Sequence, residues 1–350
     1  MSSQPGSVPQ AQVRPQRVTI REVAELAGVS MATVSRVLNG RADVSDQTRQ
    51  VVQQVARDRG YGPRRARTVP ARGTGLVGVT MPFTVPAYFA TILSGAAEAL
   101  YERDMRAVLC PTRHEHDREV SLLDRLMHGE TDGALLVQPE ETSEELRLLT
   151  DRGFCFIVVD PLHDLGEGIS VVSAAHTSGA NQVTSHLLEL GHRRIGVITG
   201  PPDGIASRSR LQGYHAALAA AGVMPDPRLE VAADFVIAGG VAAAGRLLGL
   251  ADPPTAIFAF NDSLAIGVVQ AARSRGLHLP ADLSVAGFDD TADASIVYPA
   301  LTTVRQPLAE LGRMAVTLLV RLLERQSLEP LQVELATKLV VRESTAAAWR

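Results

Sequence analysis

The chain has 350 residues, 45% of them hydrophobic and 21% charged, with a formal net charge of −4. This is the composition of a globular protein with length for two or three domains, and it excludes a fibrous or wholly disordered chain. No apolar run approaches the roughly 20 residues that span a bilayer, so no membrane partner is expected.

Residues 1–17 are polar and rich in Pro and Gln, which predicts a disordered tail rather than a signal peptide or transit helix, and a cytoplasmic protein. Thr19 and Glu22 then form an S/T-x-x-E capping box. Ile20, Val23, Ala24 and Ala27 follow at helical spacing. Gly28 supplies a turn and Ser30 caps a second helix, in which Val34, Val37 and Leu38 point one way. Met31, Ala32, Thr33, Ser35 and Arg36 stay outside. Two short helices with an Arg-bearing face on the second are a helix-turn-helix, whose second helix enters a DNA major groove. Ser45 starts a third helix with an apolar stripe of Val51, Val52, Val55 and Ala56. Residues 1–72 carry 12 arginines against 5 acidic residues, a balance of +7, which leaves −11 for the rest of a chain totalling −4. A basic head on an acidic body favours phosphate contact by the head alone.

From Leu76 short apolar strands alternate with amphipathic helices. Strands are predicted at 76–80, 107–110, 133–137 and 155–159, with helices at 88–102, 116–127 and 143–151. The alternation restarts with helices at 181–190, 207–221, 241–248 and 264–274 around strands at 194–198, 256–260 and 283–287. A helix over 308–325 and a strand over 339–341 close it. Serial βαβ units imply doubly wound parallel sheets, and two such sets imply two lobes with a ligand between strand C-termini. Cys110 and Cys155 lie in strand-like segments and read as buried free thiols. No Walker A or G-x-G-x-x-G string occurs, no metal-site spacing and no G-x-S-x-G elbow, so neither cofactor nor metal nor catalytic residue is expected.

Five strings together resemble the lactose/galactose repressor family of bacterial transcription regulators, from about Val18 to Arg342. They are Val-Ser-Met-Ala-Thr-Val-Ser-Arg-Val-Leu-Asn (29–39), Leu-Gly-His-Arg-Arg-Ile-Gly (190–196), Ala-Phe-Asn-Asp (259–262), Val-Ala-Gly-Phe-Asp-Asp (285–290) and Leu-Thr-Thr-Val-Arg-Gln (301–306). The resemblance implies a three-helix head (18–62), a hinge linker (63–74) and a two-lobed body like a periplasmic binding protein (75–342). The lobe crossings are expected near 161–176, 290–306 and 330–337, with a tail at 343–350. It implies a homodimer on near-palindromic double-stranded operator DNA, acting as a repressor of carbohydrate genes under a sugar effector. A purine or nucleoside effector is the alternative; a free sugar binder or an enzyme is the remote one.

On the DNA side, Met31, Ala32 and Arg36 match the family's base-reading positions, and Arg36 suits a bidentate contact to guanine. Thr19, Ser30, Thr33, Ser35 and Asn39 match phosphate contacts, with simple capping as the other reading. The linker departs from the family's pattern. Tyr61-Gly-Pro63 is followed by Arg64 where the family has Asn, and the minor-groove wedge motif becomes Ala66-Arg67-Thr68-Val69 with Pro70 at once behind it. Arg67 and Val69 are the linker's DNA candidates. On the effector side the matching positions are Asp160, Arg210, Phe235, Asn261, Asp289 and Gln306, with Arg208 competing for the place of Arg210. Phe83, Tyr88 and Phe89 are candidates for the wall of the first lobe.

Overall fold

The computed structural model describes residues 20–38, 45–58, 73–82, 86–113, 115–324 and 329–348. The chain divides into two compact units, residues 1–70 and 71–350.

In the first unit, α1 (Ile20–Ala27), α2 (Met31–Leu38) and α3 (Asp46–Asp58) enclose a small core of Val23, Ala24, Val34, Val37, Val52 and Ala56. Gly28 turns the chain between α1 and α2 with φ +65, a conformation open to glycine at little cost. The Ser30 hydroxyl accepts from Thr33 N at 3.1 Å and caps α2; Ser45 does the same for Thr48 N at 3.3 Å. The stripe on α3 is narrower than its sequence suggests. Val52 is fully buried, but Val51 is 45% exposed because it lies one position round the helix from the core-facing row.

The second unit opens with β1 (Leu76–Met81), α4 (Pro86–Tyr101), β2 (Arg106–Pro111), α5 (His116–Arg125), β3 (Gly133–Val137), α6 (Ser143–Asp151), β4 (Phe156–Val159) and β5 (Val171–Ala174). It continues with α7 (His176–Glu189), β6 (Ile195–Thr199), α8 (Ile205–Ala220), β7 (Glu230–Ala232), α9 (Ile237–Leu248), β8 (Ala256–Ala259), α10 (Asp262–Ser274) and β9 (Ser284–Ala286). The last elements are α11 (Ala292–Ile296), β10 (Thr303–Arg305), α12 (Leu308–Leu323), β11 (Gln332–Leu335) and β12 (Lys338–Val340).

The described strands make a parallel sheet in the order β11-β5-β4-β3-β1-β2 and a second in the order β7-β6-β8-β9. Their central strands are buried on both faces, which is why they read as unbroken apolar runs. In each sheet the order reverses beside its first strand, opening a crevice beyond the strand C-termini. Helices α4 and α12 pack in the core of the first sheet, and α7 to α10 in those of the second.

The chain passes between lobes after β5, between β9 and α12, and between β11 and β12, where β10 and β12 pair antiparallel. Strands β5 and β11 lie in the first sheet, inside intervals that the sequence reading leaves to the crossings. Helix α7 starts at His176 rather than Asn181. Thr177, Ser178 and Gly179 blur its apolar period, but Gly179 admits Thr337 and Val304 so closely that a Cβ there would stand 2.8 Å from each. Of the two thiols, Cys110 is buried and Cys155 half-buried, and the two are not joined in a disulfide.

Candidate functional site

Between the two sheets lies a cavity of about 320 Å³. Tyr88, Phe89, Gln138 and Asp160 line it from the first lobe, and Ser207, Arg210, Phe235, Asn261 and Asp289 from the second. Three of these residues follow strand ends with left-handed backbone: Gln138 (φ +50), Asp160 (φ +49) and Asp289 (φ +118). For residues other than glycine this region is sparsely populated, and such positions concentrate at binding sites. The turn swings each side chain off the sheet and into the cleft. Asn261 ends β8 differently: it caps α10 by accepting from Leu264 N at 2.8 Å and turns its amide toward the Phe235 carbonyl at 3.4 Å.

A buried polar chain joins the lobes. Tyr88 donates its hydroxyl to Asp160 Oδ2 at 2.5 Å, and Gln138 Nε2 donates to the same oxygen at 3.1 Å. Asp160 Oδ1 meets His176 Nε2 at 2.8 Å, and His176 Nδ1 meets Arg210 Nη2 at 3.3 Å. Arg210 Nη1 donates to the Phe260 carbonyl, and its Cζ lies 4.0 Å from the Phe288 ring centroid. Asp289 Oδ1 lies 3.9 Å from Arg210 Nη2 and accepts from Gln306 Nε2 at 2.6 Å.

Burial alone raises the Asp160 carboxyl, but His176, the Tyr88 hydrogen bond and Arg210 outweigh it and hold the group well below the usual carboxylate range. Asp289 goes the other way. Burial, only partly offset by Arg210 and reinforced by Asp262, pushes it well above that range. Burial and then Asp160 push the Tyr88 phenol up. The two aspartates expected to act alike therefore differ: Asp160 is committed to protein donors on both oxygens.

Of the effector candidates, Asp160, Arg210, Phe235, Asn261 and Asp289 come together in the wall. Gln306 is buried behind it and reaches the cleft through Asp289. Arg208 is exposed and donates to the Asp203 carbonyl at 2.5 Å, which leaves the buried position to Arg210. Tyr88 and Phe89 line the first lobe, while Phe83 lies outside the described residues. Sequence reasoning missed Gln138, His176 and Ser207. Gln138, like Asp160, directly follows the end of an apolar strand; His176 carries no local signal.

In the head, Met31 is exposed and Thr33 Oγ1 lies 2.9 Å from Ser30 Oγ. Both hydroxyls are thus engaged at the start of α2. The side chains of Ala32, Ser35 and Arg36 lie outside what the structure describes, as do Thr19, Asn39, Arg67 and Val69 altogether. Among the described residues no group of His, Cys, Asp and Glu is arranged to hold a metal, and no helix is long and apolar enough to cross a membrane.

A helix-turn-helix unit and a two-lobed unit with a cavity between strand C-termini define a DNA-binding regulatory protein with a ligand-binding body. Residues 19–64 match the bacterial regulatory proteins of the lacI family, and residues 184–345 match the periplasmic binding protein-like domain. The HTH-type transcriptional regulator CelR of Thermobifida fusca is 37% identical over 95% of this chain and 99% of its own length. The ribose operon repressor of Escherichia coli K12 is 32% identical over 93% of this chain and 99% of its own. Among solved structures, a CelR–cellobiose complex matches 94% of this chain and all of its own at TM-score 0.73 and 35% identity. The lac repressor dimer bound to operator and the anti-inducer ONPF matches 95% and 100% at TM-score 0.71 and 27% identity. The chain belongs to the LacI family of bacterial transcription regulators.

Proposed function

We propose that this regulator is a homodimeric, cytoplasmic repressor, without enzymatic activity, whose operator affinity is set by a sugar bound between its lobes. Arg210, Asn261 and Asp289 are its principal effector contacts, Phe235 and Phe89 offer flat apolar faces to a pyranose, and Gln306 acts through Asp289. The carrying observation is that Arg210 Nε and Ser207 Oγ, both buried on residues of the cavity wall, have no hydrogen-bond partner. Buried polar atoms without partners are costly, and hydroxyls that both donate and accept satisfy a donor and a hydroxyl side by side. A β-linked disaccharide is the first effector to try, because CelR was solved with cellobiose. Two heads place Arg36 and its neighbours in successive major grooves, and Arg67 and Val69 lie with the linkers near the operator centre. Effector binding changes lobe closure and thereby the spacing of the heads.

A thermal-shift screen of the full chain against mono- and disaccharides, polyols and nucleobases tests this. A ligand at 100 times its Kd adds about 2.7 kcal/mol of stability. Stabilisation by a sugar, with a matching change in operator affinity, is expected. Stabilisation by a nucleobase alone replaces the sugar and keeps the regulator.

A further inference from the structure

The Asp160–His176–Arg210 chain has a chemical direction. An arginine nitrogen only donates, so the 3.3 Å contact from Arg210 Nη2 calls for a lone pair on His176 Nδ1. The ring proton then sits on Nε2, 2.8 Å from Asp160 Oδ1, and is donated there. One neutral imidazole, 4% exposed, accepts from the cation of one lobe and donates to the carboxylate of the other. His176 also follows Ala175 directly, where the chain crosses between lobes, so the contact sits at the pivot. Arg210 is otherwise held by the Phe260 carbonyl and the Phe288 ring, which leaves Nε unpartnered.

We propose that His176 is the positioning residue of the cleft: as the Nε2–H tautomer it fixes how Arg210 presents its guanidinium to an effector, and keys that direction to Asp160 in the other lobe. The proposal rests on the effector reading above. The charged and titratable groups about the ring are Asp160 and Arg210 in contact, Asp289 beyond Arg210 and Tyr88 beyond Asp160.

Nitrogen-15 histidine spectra of the full-length protein, with His176 assigned by difference from His176→Gln, read the tautomer without any effector. The Nε2–H form is expected; an Nδ1–H or doubly protonated ring at neutral pH overturns the proposal. Cellobiose is then titrated calorimetrically into wild type, His176→Gln and His176→Phe. Glutamine can donate to Asp160 and accept from Arg210, whereas phenylalanine fills the space and does neither. The Gln variant is expected to retain most of the affinity and the Phe variant to lose at least about tenfold, the cost of an unmet hydrogen bond to a charged group. Wild-type affinity in His176→Phe, or equal loss in both variants, overturns the positioning role. If wild type takes up no cellobiose, the disaccharide reading falls and the tautomer decides this proposal.

Discussion

Gln306 holds Asp289 from behind: its Nε2 donates to Asp289 Oδ1 over 2.6 Å, and both side chains are buried. Asp289 has few other supports, since Arg210 Nη2 stands 3.9 Å away. Gln306→Leu keeps the volume and removes the donor, leaving a buried carboxyl less satisfied. We expect a loss of about 1–3 kcal/mol in cellobiose affinity, with the melting temperature lowered but the fold intact. Calorimetry with the variant checks this. Unchanged affinity would separate Asp289 from effector binding.

Arg36 lies on α2, the second helix of the helix-turn-helix. In Arg36→Ala, discrimination between a selected operator and random duplex is expected to fall by about 1–3 kcal/mol per half-site. Cellobiose binding should not move. Fluorescence anisotropy at fixed salt measures the ratio, because phosphate contacts alone give salt-dependent, sequence-blind affinity. A preserved ratio would shift base reading to other residues.

The parts of this fold that could be read from sequence were those whose signal is local. Val23, Ala24, Val34 and Val37 sit where their helical spacing puts them, and the runs ending at Val137, Val159 and Ala259 are central strands. Asp160, Asn261 and Asp289 are matched by the family's motifs, and each also ends or closely follows an apolar strand. Gln138 also follows an apolar strand, yet Pro139, Glu140 and Glu141 behind it resemble a solvent-facing loop. Strands β7 and β10 have three residues each and β5 and β11 four, too few to establish a period. Strand β11 forms only because β5, far earlier in the chain, supplies an edge. His176 was invisible for a related reason: its partners Asp160 and Arg210 meet it only after the chain has crossed between lobes.

Helices α4 and α12 cross with their backbones in contact. A Cβ on Gly312 would stand 2.2 Å from the Ile92 carbonyl oxygen, and one on Gly95 2.0 Å from that of Ala309. Backbone cannot yield as a flexible side chain can. Gly312→Ala is therefore expected to destabilise the protein by at least about 1–3 kcal/mol, the usual cost of overpacking. The helix preference of alanine, worth roughly 1 kcal/mol, will not rescue it. Urea denaturation followed by circular dichroism gives the difference, and a variant as stable as wild type would mean that the two helices have room to separate.

Two carboxyls near the C-terminal end of the first sheet are buried with little to satisfy them. Glu119 Oε2 accepts from Glu140 N at 3.1 Å, while Glu119 Oε1 and both oxygens of Glu141 have no partner. Burial, with some added repulsion from Glu140, pushes Glu119 up to about 7. Burial and then repulsion from Glu119 push Glu141 up to about 8. Unfolded glutamates titrate near about 4.3, so the folded state holds protons that the unfolded state has released. Stability is then greatest below about pH 4 as far as these groups act, and it is lost as pH rises toward about 8. Glu141→Gln removes one of the two titrations. Its melting temperature should decline less than that of wild type between pH 5 and pH 8, roughly the window between the two values, with the variant the more stable at the alkaline end. Parallel curves for the two proteins would show that Glu141 titrates normally and that its burial is relieved by solvent.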